Sequence, residues 1–208
     1  MKSQIEKSKH RHRLWGVLIK VGLTCAFAFW FYVIWNSTAN LNQDMNIVSA
    51  KYSAVHNVQV DFKSEVQEWK NVLLRSNNSG TLQANWQAYE AQYQKVVAET
   101  QRILAETDIS GVRSSMNTFA DAHAANHELY KKAMELLAQN GFNAHQADET
   151  VKGVDRPLVD YLEAADEAMQ QESKNINERM VAKAKNQVDQ SLLILSVIAL
   201  LVIWMPKW

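Results

Sequence analysis

With one cysteine, two prolines and six glycines among 208 residues, the chain is short of every residue that punctuates loops. A disulfide framework needs paired cysteines, a collagen needs glycine at every third position, and a loop-rich β-sandwich needs frequent turn residues. All three are excluded, and long helices are expected. Chemistry-bearing motifs are equally scarce. There is no glycine-rich phosphate loop, no CxxCH for covalent haem and no GxSxG nucleophile turn. The lone Cys25 falls inside an apolar run, where it serves neither as a disulfide partner nor as an accessible nucleophile. An enzyme is therefore not expected, and neither is a cofactor.

Net charge is absent too, because 22 basic residues balance 22 acidic ones. The balance hides a strong asymmetry. Lys2, Lys7, Lys9, Arg11, Arg13 and Lys20 face a single acid, Glu6, within the first twenty positions, a local charge of +5. From Ser37 to Asp189 the chain carries 15 basic and 21 acidic residues, a local charge of −6, and Lys207 supplies the remaining +1. The acidic segment argues against nucleic acid as a partner, and the basic tail is explained by topology and anionic lipid.

Two apolar runs separate these charges. Leu14 to Trp35 (LWGVLIKVGLTCAFAFWFYVIW) is 22 residues long with Lys20 as its sole charge, placed where it can snorkel toward the basic end. The run ends in a bulky aromatic belt of Trp30, Phe31, Tyr32 and Trp35 rather than a small-residue cleavage motif, so it is expected to be retained as a membrane anchor. Leu192 to Met205 (LLILSVIALLVIWM) is 14 residues, short for a span, yet Val188 to Trp208 holds only Asp189 and Lys207 as charges, with Trp204 and Trp208 as interfacial anchors. A second span is the expectation; a buried soluble helix is the alternative. The positive-inside rule then places residues 1–13 in the cytoplasm and exports residues 37–189 between spans at 14–36 and 190–208.

The exported segment reads as helices. Its breaks carry loop chemistry: Ser76 to Gly80 (SNNSG), Thr107 to Gly111 (TDISG) and Asn140 to Asn143 (NGFN). Three breaks predict four helices, an all-α antiparallel up-down bundle whose first and last helices extend into the membrane. Apolar residues recur in steps of three and four in each helix, for example Phe62, Val66, Trp69 and Leu73 in the first. The third helix follows the same rule through Val112, Met116, Phe119, His123, Asn126, Tyr130, Ala133 and Leu137, with two polar exceptions. Pro157 fits an early turn of the last helix, with Thr150 or Asp155 as its cap. No break separates Trp35 from Ser76, so the first span and first helix are expected as one rod of about 60 residues, roughly 90 Å long at 1.5 Å per residue.

Two segments add a family resemblance. Asp61 to Arg75, DFKSEVQEWKNVLLR, and Val151 to Leu162, VKGVDRPLVDYL, closely resemble parts of the periplasmic four-helix-bundle sensory domains of methyl-accepting chemotaxis proteins. The resemblance implies a chemoreceptor-like sensor in the bacterial inner membrane that binds a small molecule or a periplasmic protein, pairs as a homodimer and passes a shift through its second span. The 208 residues contain no adaptor region or methylated signalling hairpin, and the expectation is either a truncated receptor or one whose output goes through a partner such as a full-length chemoreceptor. The alternative is a structural or regulatory membrane subunit that shares the bundle and binds no solute.

Counting helix positions from the membrane brings Trp69 and Lys70 to the height of Trp86, Tyr130 and Arg156, with Arg75 one turn above. Two indoles, a phenol and two cations, with Arg75 above them, form a suitable wall for a small organic carboxylate or aromatic ligand. The alternative is core packing beside solvated charges. A second candidate joins Tyr93, His123 and Asn126. His123 and His127 are four apart, but no carboxylate or thiol stands at a fixed spacing to complete a ligand set, so no metal site is expected. The polar exceptions Gln59, Thr100 and Glu172 read as a wet, adjustable lower bundle.

Overall fold

A computed structural model describes residues 2–204, with side chains described from Gly16 onward except at 18, 41, 42, 44 and 201–204. The side chains of the basic tail and of Trp204, and the terminal residues with Lys207 and Trp208, lie outside the described residues. Every described element is helical: α1 (Lys2–Arg75), α2 (Ser79–Glu106), α3 (Ser110–Gln139), α4 (Ala144–Val151) and α5 (Arg156–Trp204).

Local chemistry sets the helix ends. Asn78 caps α2 by accepting a hydrogen bond from the Thr81 amide at 2.9 Å, while the Thr81 hydroxyl accepts from the Asn78 amide at 3.2 Å, a reciprocal capping box. At the end of α3, Gly141 takes φ 69° and the Phe142 amide donates to the Leu137 carbonyl at 3.0 Å, closing a Schellman turn. Phe142 itself takes φ 64°, a left-handed backbone that is costly for a bulky side chain and is held by packing against the core. The α2–α3 loop is stitched by Arg113, whose guanidinium donates to the carbonyls of Leu104, at 2.9 Å, and Thr107.

The count of helices differs from the four expected. Asn143 caps α4 by accepting from the Gln146 amide, and Gly153 at φ 76° turns the chain again, so residues 144–151 form a separate short helix. Thr150 lies inside α4; α5 starts directly after Asp155, with Pro157 in its first turn, where a missing N–H is harmless.

The chain divides into two compact units. One comprises 47–175, the other 1–46 with 176–208. Both boundaries fall inside the 37–189 segment read from the sequence. In the 47–175 unit, all eight α3 positions expected to face the core are buried. Its core has two clusters. One joins Val55, Val58 and Phe62 to Val96, Met116, Phe119, Leu162 and Met169, drawing on α1, α2, α3 and α5. The other joins Trp69 and Val72 to Leu82, Tyr89, Tyr130, Leu137 and the α4 residues Ala147 and Val151. Gly111 of α3 lies so near α5 that a Cβ there would stand 2.9 Å from the Ala168 Cβ.

In the other unit, apolar side chains point outward on both helices: Phe29 is 69 % exposed, Trp35 68 % and Leu193 68 %. Among the described residues one helix, α1 from Ile19, is long and apolar enough to cross a membrane. Residues 205–208, the end of the second expected span, lie outside the described residues. The Trp30 indole donates to the Ser191 hydroxyl at 3.0 Å, tying α1 to α5 within this unit.

Candidate functional site

The 47–175 unit contains a polar layer at the junction of its two apolar clusters. Glu65 of α1 and His123 of α3 face each other with Nε2–Oε2 at 2.7 Å, at 1 % and 2 % exposure. A buried carboxyl group is costly unless it is paired, and this imidazole answers it. The His123 ring is walled by Phe119, stacked at 5.2 Å, by Phe62, edge-on at 5.8 Å, and by Tyr93 at 4.7 Å. One turn on, His127 stacks against Tyr93 at 3.9 Å. Its Nδ1 lies 3.3 Å from the Tyr89 hydroxyl and its Nε2 3.3 Å from Glu90. The two imidazoles therefore share the Tyr93 ring but have different polar partners.

The expected ligand wall is distributed between interior and surface. Trp69 is 3 % exposed and stacks on Tyr130 at 4.6 Å with an interplanar angle of 19°. Trp86, half-buried, packs on Tyr89 at 4.7 Å, and Tyr89 meets Tyr130 edge-on at 5.7 Å. The three indole and phenol rings are thus brought into one cluster, joined by Tyr89. Lys70, Arg75 and Arg156 are exposed. The Arg156 side chain lies over Gly153, its Nε 3.6 Å from where a Cβ would stand.

The second candidate set is brought together around the same layer. Tyr93 touches both imidazoles, and Asn126 is buried at 3 % exposure. Neither polar atom of the Asn126 side chain makes a well-formed hydrogen bond, although the amide is near enough to the Tyr130 phenol to act against the rise in its pKa. That phenol is still raised from its ordinary value, chiefly by burial and next by the Asp155 charge. Burial, then the Glu65 charge, also raises Tyr89, and the same causes raise Tyr93.

Glu65 escapes the sequence reading, although a signal exists. It lies three residues after Phe62 and four before Trp69, on the flank of the α1 apolar stripe, where a carboxylate is unexpected without a partner. Among the polar exceptions, the Gln59 amide donates to the Leu162 carbonyl at 3.1 Å, Thr100 is buried with its hydroxyl unpaired, and Glu172 accepts from Asn175 at 3.4 Å.

Comparison with known proteins finds similarity to methyl-accepting chemotaxis protein CtpH of Pseudomonas aeruginosa, 23 % identical over 154 residues. The aligned part takes up 74 % of this chain and 27 % of that protein. The chain thus spans little more than a quarter of its relative. No family model matches the chain, and no solved structure matches it. An all-helical chain with a distant chemotaxis-receptor relative fits a chemoreceptor-like domain.

Proposed function

We propose that this chain is a membrane-anchored sensory domain of the chemoreceptor type. In this reading α1, α2, α3 and α5 form an antiparallel four-helix bundle in the periplasm over residues 37–189. It binds a small molecule or a periplasmic protein, acts as a homodimer and passes a conformational shift across the inner membrane. The observation that carries the reading is that α1 and α5 each contribute, without a helix break, both to the unit with a packed core and to the unit whose apolar side chains face outward. Apolar surface of that extent is stable only in a non-aqueous surrounding or under a partner. The +5 charge of the first twenty residues supports a cytoplasmic N-terminus. The relative's name supports the sensory role, and neither it nor the all-helical fold points to catalysis.

One observation favours a second reading, a structural or regulatory membrane subunit that binds no solute and pairs with receptors. Trp69, Tyr89 and Tyr130 fill one another's faces, so part of the proposed distal ligand wall is occupied by packing.

An in-frame fusion of the full chain to the signalling part of a chemoreceptor with a known output separates the two. The sensory reading expects some organic acid, amino acid or aromatic compound to change swimming bias and to raise the chain's melting temperature. If the fusion inserts in the membrane and no compound in those classes does either, the regulatory reading stands.

A further inference from the structure

The 47–175 unit contains a cavity of about 230 Å³, apart from both candidate sites. It opens between the start of the core-forming part of α1 and the end of α2, with walls from Ala50, Ala54, Val55, Ile103, Val112 and Met169. Four helices contribute, and the wall is mainly apolar, with Lys51, Arg102, Glu106 and Thr107 as its polar members. An apolar cavity of about 150 Å³ is enough to take up one benzene ring. The volume here admits one ring with a small substituent, or an alkyl body of similar size.

Charge at the rim selects further. Lys51 lies 2.6 Å from Asp108, and Arg102 is held by Glu99 at 2.7 Å and by Glu106 at 3.2 Å. Each rim cation already has a carboxylate, so an entering anion must displace one, whereas a neutral body buries apolar surface without that competition. Thr107 is the uncharged polar residue in the wall. Its oxygen accepts from the Ile109 amide at 3.3 Å, and a hydroxyl in that role can still donate to a neutral acceptor.

We propose that this cavity is a binding site for a small uncharged compound, one aromatic ring or an equivalent alkyl body bearing a hydroxyl or carbonyl oxygen. It differs in position and in ligand charge from the Trp69, Lys70 and Arg156 site. The inference deepens the sensory reading and rests on it for any signal, but binding is measured independently of signalling.

The test uses the full chain in lipid nanodiscs, with the Met169 methyl at the cavity wall as an isotope-labelled reporter, assigned with Met169→Leu. The probes are 4-fluorophenol and 4-fluorobenzoate, which share a ring and differ in charge. The expected result is a saturable shift of the Met169 methyl with 4-fluorophenol, and binding of 4-fluorobenzoate weaker by about tenfold or more. Two cavity-filling variants, Ala54→Phe from inside and Ala50→Trp from the exposed mouth, are each expected to abolish the shift. Either one suffices if the other fails to fold by circular dichroism. The proposal is overturned if 4-fluorophenol leaves Met169 unmoved, if the benzoate binds as well, or if a folded filled variant still binds. It is also overturned if Ala50→Cys, in a Cys25→Ser background, crosslinks two copies and so identifies the groove as an interface between them. Saturable binding with no response in the receptor fusion counts against the sensory reading and leaves the cavity site standing.

Discussion

The imidazole Nε2 of His123 stands 2.7 Å from the Glu65 carboxyl oxygen, and the two side chains reach across 58 positions of sequence to meet inside the core. Breaking a buried pair of this kind by removing one partner costs about 3–5 kcal/mol, because the other polar group is left without an answer. Glu65→Ala is expected to lower stability on that scale, and Glu65→Gln by less, since an amide oxygen still accepts from the imidazole. Replacing both residues by leucine is expected to cost less than the sum of the single changes. Urea unfolding of the four chains in a double-mutant cycle measures the coupling. An additive cycle would show that the contact carries no energy of its own.

The distal residues should separate by burial. Trp69→Ala empties a core position and is expected to cost about 3–5 kcal/mol. Lys70→Ala and Arg156→Ala alter exposed side chains and should stay within about 0.5 kcal/mol of the parent. Thermal melts of the three variants test the packing. A ligand response lost in Arg156→Ala with an unchanged melt would instead give that guanidinium a role in binding.

Alkaline pH should expose the buried phenols. Tyr89 and Tyr130 are both held above the ordinary phenol value of 10.0, in each case first by burial. Above about pH 10 the unfolded chain releases phenol protons that the folded chain keeps, so this contribution to stability is full below that pH and declines as pH rises past it. In a phenolate absorbance titration these two of the six tyrosines are expected to ionise only as helicity is lost. Free titration of Tyr89 and Tyr130 near the ordinary phenol value with the circular dichroism intact would contradict the burial argument.

At Gly111, α3 closely approaches α5. Alanine there would gain about 1 kcal/mol in helix propensity. Its Cβ, however, would stand 2.9 Å from that of Ala168, and neither atom can rotate away. Overpacking of this kind costs about 1–3 kcal/mol, so Gly111→Ala is expected to destabilise on balance. Gly111→Ala combined with Ala168→Gly should recover much of the loss. A melting temperature that rises in the single variant would mean the helices part at little cost.

Cys25 reports on the membrane reading without any mutation. It is the sole thiol of the chain and is exposed on α1. In sealed vesicles a charged maleimide is expected to leave it unlabelled, because a charged reagent does not enter hydrocarbon to reach the side chain. Dissolving the vesicles in denaturing detergent should restore labelling. Rapid labelling in intact vesicles would remove residue 25 from the span.

Helix ends and core faces were legible because they depend on neighbours within one or two turns. Asn78 and Thr81 announce the start of α2 by their side-chain chemistry, and the eight α3 core positions follow from period alone. The short α4 was not legible. It is bounded by turns at Gly141 and Gly153, and only one buried alanine and one buried valine tie it to the core, too few positions for a periodic signal.

By itself, then, the sequence determined an all-helical chain, its main helix breaks, the apolar stripes and the separation of charge around two apolar runs, all of which follow from local spacing. The tertiary structure decided that Glu65 answers His123, that Trp69 stacks on Tyr130 while Lys70 and Arg156 face outward, and that four helices leave a cavity beside Met169. The physical reason is that such contacts depend on how helices rotate and slide against one another. A change of one residue in that register exchanges one partner for another while leaving every helical period unchanged.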